Sequence, residues 1–133
     1  MQTQKQYQRT FSFEFFPPKT EKGAKNLKRT REELGKLGPK YFSVTFGAGG
    51  TTQQGTIETV LDIKRSGFDV APHLTCVGST RDNIRRLLEN YIGHGIKRIV
   101  ALRGDLPEGA QEAGEFQYAN ELVEFIREVS GDH

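Results

Sequence analysis

The first residue equipped for chemistry is Glu14, in Phe11-Ser12-Phe13-Glu14-Phe15-Phe16-Pro17-Pro18. A carboxylate flanked by aromatic rings is costly to bury unless it has a partner or a task. Desolvation at an aromatic-lined mouth raises a carboxyl pKa, which is what a general acid needs near neutral pH. The structural alternative is a core carboxylate paired with Arg103 or Lys19. His73, in Pro72-His73-Leu74-Thr75-Cys76, has no second His, Cys or carboxylate at metal-ligand spacing. That argues against a metal site and for a satisfied strand histidine. Arg103-Gly104-Asp105 sets a fixed fork of donors beside an acceptor, either at a ligand or in a weak surface salt bridge.

Gly47-Ala48-Gly49-Gly50-Thr51-Thr52 is not a dinucleotide fingerprint, because Thr52 replaces the third glycine. Nor is it a P-loop, which needs Gly-Lys before Ser or Thr. A glycine-rich turn after a strand lets a flat ligand approach the backbone; its plain alternative is a mobile loop. The single cysteine, Cys76, excludes an intrachain disulfide, and its position predicts a small buried hydrophobe rather than a catalytic thiolate.

These residues need strands followed by helices to position them. In the first strand Phe11, Phe13 and Phe15 share one face, Ser12, Glu14 and Phe16 the other, and Pro17-Pro18 ends it. Ala24, Leu27, Leu34 and Leu37 predict a helix stopped at Gly38-Pro39. Tyr41 to Phe46 reads as a second strand, with Ser43 and Thr45 opposite Phe42, Val44 and Phe46. Ile57, Val60 and Leu61 mark a helix ended near Gly67. Val70 to Thr75 is the third strand, with Ala71, His73 and Thr75 on one face. Ser79 or Thr80 caps a helix whose stripe is Ile84, Leu87, Leu88 and Tyr91. Ile96 to Leu102 is the fourth strand, and the last helix carries Ala119, Leu122, Val123, Ile126 and Val129.

Strands beginning near residues 11, 41, 70 and 97 repeat at the period of βα units. The expected class is α/β, a parallel sheet with helices outside it. An open doubly wound sheet would more often have continuous apolar strands. The shared parity of Ser12, Glu14, Ser43, Thr45, His73, Thr75, Arg103 and Asp105 favours a (βα)8 barrel, whose sites lie at the C-terminal strand ends. Four units are half of such a TIM barrel, since a complete one takes about 250 residues. A four-stranded sheet has two edges to cover, so the half-barrel belongs to a longer chain or is closed by a second copy as a homodimer or larger homo-oligomer.

The 133 residues are read as a flexible segment over 1–10 and one half-barrel domain over 11–133. A content of 35% hydrophobic and 27% charged residues fits a soluble globular protein. Net charge of +2, with the basic stretch from Lys19 to Lys36 broken by Glu21, Glu32 and Glu33, argues against nucleic acid. No apolar run reaches membrane-spanning length and no secretory pattern opens the sequence, so a cytoplasmic setting without membrane partners is expected. Arg103-Gly104-Asp105 also spells a cell-adhesion tripeptide, which is out of place in that setting.

Four motifs in order, Phe13–Pro18, Ser43–Gly50, Pro72–Cys76 and Leu102–Asp105, continuing through Tyr118-Ala119, resemble the methylenetetrahydrofolate reductases from Thr10 onward. The resemblance implies a flavoprotein barrel of one-carbon metabolism and methionine biosynthesis. Such an oxidoreductase uses NADH or NADPH and FAD to reduce 5,10-methylenetetrahydrofolate to 5-methyltetrahydrofolate. It implies that Glu14 is the general acid that opens the substrate's five-membered ring, and that Asp105 sits near flavin and pterin. Both then belong to the catalytic and folate-binding set. It further implies FAD or nicotinamide contacts at Thr45, Phe46, Ala48, His73, Arg103, Gly104, Asp105 and Ala119. Family members continue into a second half-barrel with further FAD and folate contacts. The alternative expectation is a non-catalytic half-barrel scaffold that self-associates and at most binds flavin.

Overall fold

The structure, a computed structural model, describes residues 6–47, 53–106, 108 and 114–131. Strand and helix alternate as β1 (Ser12–Phe15), α1 (Glu21–Gly35), β2 (Tyr41–Val44), α2 (Gln53–Arg65), β3 (Val70–Thr75), α3 (Arg81–Gly93), β4 (Val100–Leu102) and α4 (Ala119–Ser130). All strand pairs are parallel, and the sheet order is β1-β2-β3-β4. A doubly wound sheet reverses its order at a switch point. Here every strand pairs with its sequence neighbour, which is the topology of half a (βα)8 barrel. Among the described residues no helix is long and apolar enough to cross a membrane.

Alternation assigns the two faces. Phe42, Val44, Val70, Leu74 and Cys76 are buried on one face against Val60 and Ile63 of α2, Ile84, Leu88 and Tyr91 of α3, and Leu122 of α4. Phe13 and Phe15 stack on Phe42 with centroids 6.2 and 5.3 Å away, and Phe68 meets it edge-on at 5.1 Å. Burying rings of this size is the main stabilisation available to so short a strand. The α3 stripe holds residue for residue, and Thr80 caps it by accepting the Asn83 N–H at 3.1 Å. Of the α4 stripe, Leu122 and Ile126 are buried and Val129 packs on the core, with Phe125 added, whereas Ala119 and Val123 stand outside it.

Three expectations are corrected. β2 ends at Val44 rather than Phe46. β4 starts at Val100, because the Ile96 N–H donates to the Tyr91 carbonyl and not to a ladder; Ile96 is buried all the same. The leucine stripe of α1 is mostly absent. Ala24 is exposed, Leu37 lies beyond the helix and is exposed, and the buried side chain of α1 is Arg31. Its Nη1 donates to Asp62 Oδ2 at 2.7 Å, while Leu34 adds one apolar contact with the core. So α1 is tied to α2 by a buried guanidinium rather than by leucines.

Candidate functional site

The second face of the sheet carries the polar residues. Register places Glu14 beside Ser43 and Ser43 beside Ala71, a row of small side chains over which a longer one can reach. Glu14 does so, spanning β2 so that its Oε2 lies 3.4 Å from Nε2 of His73 on β3. His73 is buried while the Glu14 side chain is 54% exposed. Glu14 thus meets His73 rather than Arg103, whose Nε is turned to Gln117, and no aromatic enclosure desolvates the carboxyl among the described residues. Burial pushes the His73 pKa below its ordinary value, against a smaller upward pull from Glu14.

Glu14, Thr45, His73 and Asp105 line one open cleft of about 680 Å³ at the C-terminal strand ends. Phe46, Gly47, Thr75, Val77, Leu102 and Gly104 complete its wall, and its size falls within the range of small-ligand sites. Thr45 directly follows β2 and is held from behind, where the Thr56 hydroxyl of α2 donates to its carbonyl at 2.9 Å. Its own hydroxyl is buried with no hydrogen-bond partner among the described residues. Such an orphan normally costs on the order of 1–3 kcal/mol. Gly104 has φ +77°, and a Cβ there would meet Thr75 Cβ at 3.0 Å, so glycine is required for the chain to turn this close to the wall.

That turn separates the two charged residues of the fourth motif. Asp105 stays in the cleft, exposed and without a hydrogen bond among the described residues. Arg103 swings outward, its Nε donating to the Gln117 carbonyl at 3.0 Å ahead of α4. On β4 the inward parity belongs to Val100 and Leu102, opposite His73 and Thr75, so Arg103 falls on the outward parity and is not a wall residue. Ala119 opens α4 away from the cleft lining, and Ala48 lies outside the described residues. Cys76 is buried with its thiol raised in pKa by that burial, as expected of a structural cysteine. Val77 and Leu102 were not foreseen in the wall; the inward register of Leu102 opposite Thr75 was the available signal. No group of His, Cys, Asp or Glu among the described residues is arranged to hold a metal ion.

The family profile of methylenetetrahydrofolate reductase matches residues 1–133. The chain belongs to the methylenetetrahydrofolate reductase family. It is 43% identical over 120 residues to the 5,10-methylenetetrahydrofolate reductase of Salmonella typhimurium, covering 90% of this chain and 40% of that protein. The Escherichia coli protein of the same name is 42% identical over 120 residues, with the same two shares of 90% and 40%. Methylenetetrahydrofolate reductase (NADH) 1 of Arabidopsis thaliana is 40% identical over 133 residues, 96% of this chain and 22% of that one. The chain thus spans well under half the length of these family members.

Proposed function

We propose that the cleft is part of a flavin and folate site for reducing 5,10-methylenetetrahydrofolate to 5-methyltetrahydrofolate. The observation that supports this most is the meeting of Glu14, Thr45, His73 and Asp105 in one cleft of a methylenetetrahydrofolate reductase family chain. FAD fits the residues present: the buried Thr45 hydroxyl lacks a partner among the described residues, and Gly104 stands in the cleft wall beside Asp105. When bound, FAD supplies the hydride carrier between NADH or NADPH and the folate. Thr45 and Asp105 hydrogen-bond the ligand, and Phe46 offers an aromatic face at the rim. Arg103 keeps its Nη donors for the cofactor's outer groups beside Ala119, and Ala48 is assigned with them. Glu14 donates a proton to the leaving ring nitrogen of the folate as its five-membered ring opens. Ligand filling the cleft excludes the water that now reaches its carboxyl. The Arabidopsis relative is named for NADH, which makes NADH the first reductant to assay.

The test compares the chain with Glu14→Gln in the presence of FAD, NADH and 5,10-methylenetetrahydrofolate. Folate reduction is expected to fall about 100-fold or more, the usual scale for general acid catalysis, while NADH oxidation by an artificial acceptor is retained. Loss of both activities in a variant that still holds FAD contradicts the role given to Glu14.

A second reading rests on the sheet edges, since β1 and β4 each pair on one side only. Two copies joined β1 to β4 about a two-fold axis would close eight strands as an isologous, non-catalytic scaffold. Native mass spectrometry showing a dimer without flavin, together with no turnover, favours that reading; a monomer removes it.

A further inference from the structure

Glu14 and His73 touch across the cleft with opposite burial. The imidazole is 8% exposed and the carboxyl 54%. Around His73 the neighbouring strands present Ser43 and Thr45 from β2, and Val100 and Leu102 from β4. The charged groups sharing its cleft are Glu14 and, from the loop after β4, Asp105. With no cation among the described residues lining its cleft and little water around it, the ring is neutral at pH 7 and carries a single N–H.

We propose that His73 is the positioning residue for Glu14: its neutral Nε2–H holds Oε2, so that Oε1 carries the acidic proton into the cleft. The inference rests on the reading of Glu14 as the acid. While Glu14 is protonated, Nε2–H donates to the carbonyl-like Oε2. Once the proton has passed from Oε1 to the substrate nitrogen, the electron pair stays on the carboxylate and the same bond becomes charge-assisted. Hydrogen bonds to a charged oxygen are about twice as strong as neutral ones. The contact therefore strengthens as the proton leaves, which is the condition for an interaction to accelerate a step. At 3.4 Å it is long in the open cleft, and ligand closure shortens contacts of this kind. The opposite tautomer, with the proton on Nδ1, would make Nε2 the acceptor and hold the acidic proton on Oε2, away from substrate.

The test is a pH titration of the ¹⁵N-histidine-labelled chain by long-range ¹H–¹⁵N spectroscopy, beside Glu14→Gln and Glu14→Asp. His94, exposed and with Nδ1 2.8 Å from the Asn90 carbonyl, is the internal reference. Expected is the Nε2–H tautomer of His73, with a midpoint below that of a free histidine. The midpoint falls further in Glu14→Gln, where the amide oxygen still accepts but the negative charge is gone. In Glu14→Asp the shorter side chain draws back, and the tautomer preference weakens. An Nδ1–H tautomer, or a His73 midpoint indifferent to Glu14→Gln, overturns the proposal. If the two residues titrate as a pair yet folate reduction survives Glu14→Gln, the contact stands and the proton step falls with the acid reading. If folate reduction is lost while His73 ignores Glu14→Gln, the acid reading stands and the positioning role falls.

Discussion

At the N-terminal strand ends and between the helices, charged groups are matched, whereas at the C-terminal strand ends they are left open. Arg98 Nε donates to Asp69 Oδ2 at 2.7 Å, Asp69 Oδ1 accepts the Val70 N–H, and Arg31 Nη1 donates to Asp62 Oδ2 at 2.7 Å, with its Nε left without a partner among the described residues. In the cleft, by contrast, Glu14 meets His73 only at a distance of 3.4 Å, and the Thr45 hydroxyl and Asp105 have no hydrogen bond among the described residues. Ahead of β3 and β4 these groups hold the fold. At the opposite ends they stand open, as the proposed ligand site requires. In βα barrels stability is expected at the first end and chemistry at the second, and the pairing pattern reproduces that division in half a barrel.

The largest effect should come from breaking the matched side. Asp62→Ala leaves the Arg31 guanidinium buried without its counter-charge and is expected to cost about 1–3 kcal/mol, read as a lower urea midpoint. Asp62 is itself half-exposed, which keeps the cost below that of a fully buried pair. A smaller effect belongs to His73. Its folded pKa lies below the unfolded value, so on acidification the unfolded chain takes up the proton first. Stability is then expected to fall as pH drops from about 6.5 through the folded pKa, and to level off below it. In His73→Gln that part of the pH slope should vanish; an unchanged slope places the acid sensitivity elsewhere.

The smallest stability change is expected at Thr45. Thr45→Val removes a buried hydroxyl that has no partner, so the urea midpoint should hold or rise within about 1 kcal/mol. A loss of several kcal/mol would mean that the hydroxyl belongs to the matched side, and the contrast between the two ends would dissolve.

Much of this arrangement was legible in the sequence. Period-two alternation identified the polar face of β1, β2 and β3 but not of β4, where Val100 and Leu102 turn inward, and the α3 stripe at Ile84, Leu87, Leu88 and Tyr91 could be read directly because a buried helix has one apolar side. The parallel sheet followed from the βα repeat, and the consecutive strand order from the barrel that the polar parity favoured. What stayed hidden depends on partners distant in the chain. Arg31 reads as a solvated charge until Asp62, thirty-one residues away, is brought against it. The 3.4 Å contact of Glu14 with His73 depends on Ser43 and Ala71 being small enough to reach over. Arg103 and Asp105 share the outward parity of Ala101; Arg103 follows it to Gln117, whereas the left-handed turn at Gly104 returns Asp105 to the wall.

The most direct measurement is a flavin fluorescence titration of the chain and of Thr45→Val, each confirmed folded. Saturable quenching by the chain, weakened about 5-fold in Thr45→Val, is the predicted result, that being the effect of one hydrogen bond on affinity. No saturable quenching, or equal affinity in the two proteins, would contradict the claim that the open polar groups at the C-terminal strand ends are kept for a ligand.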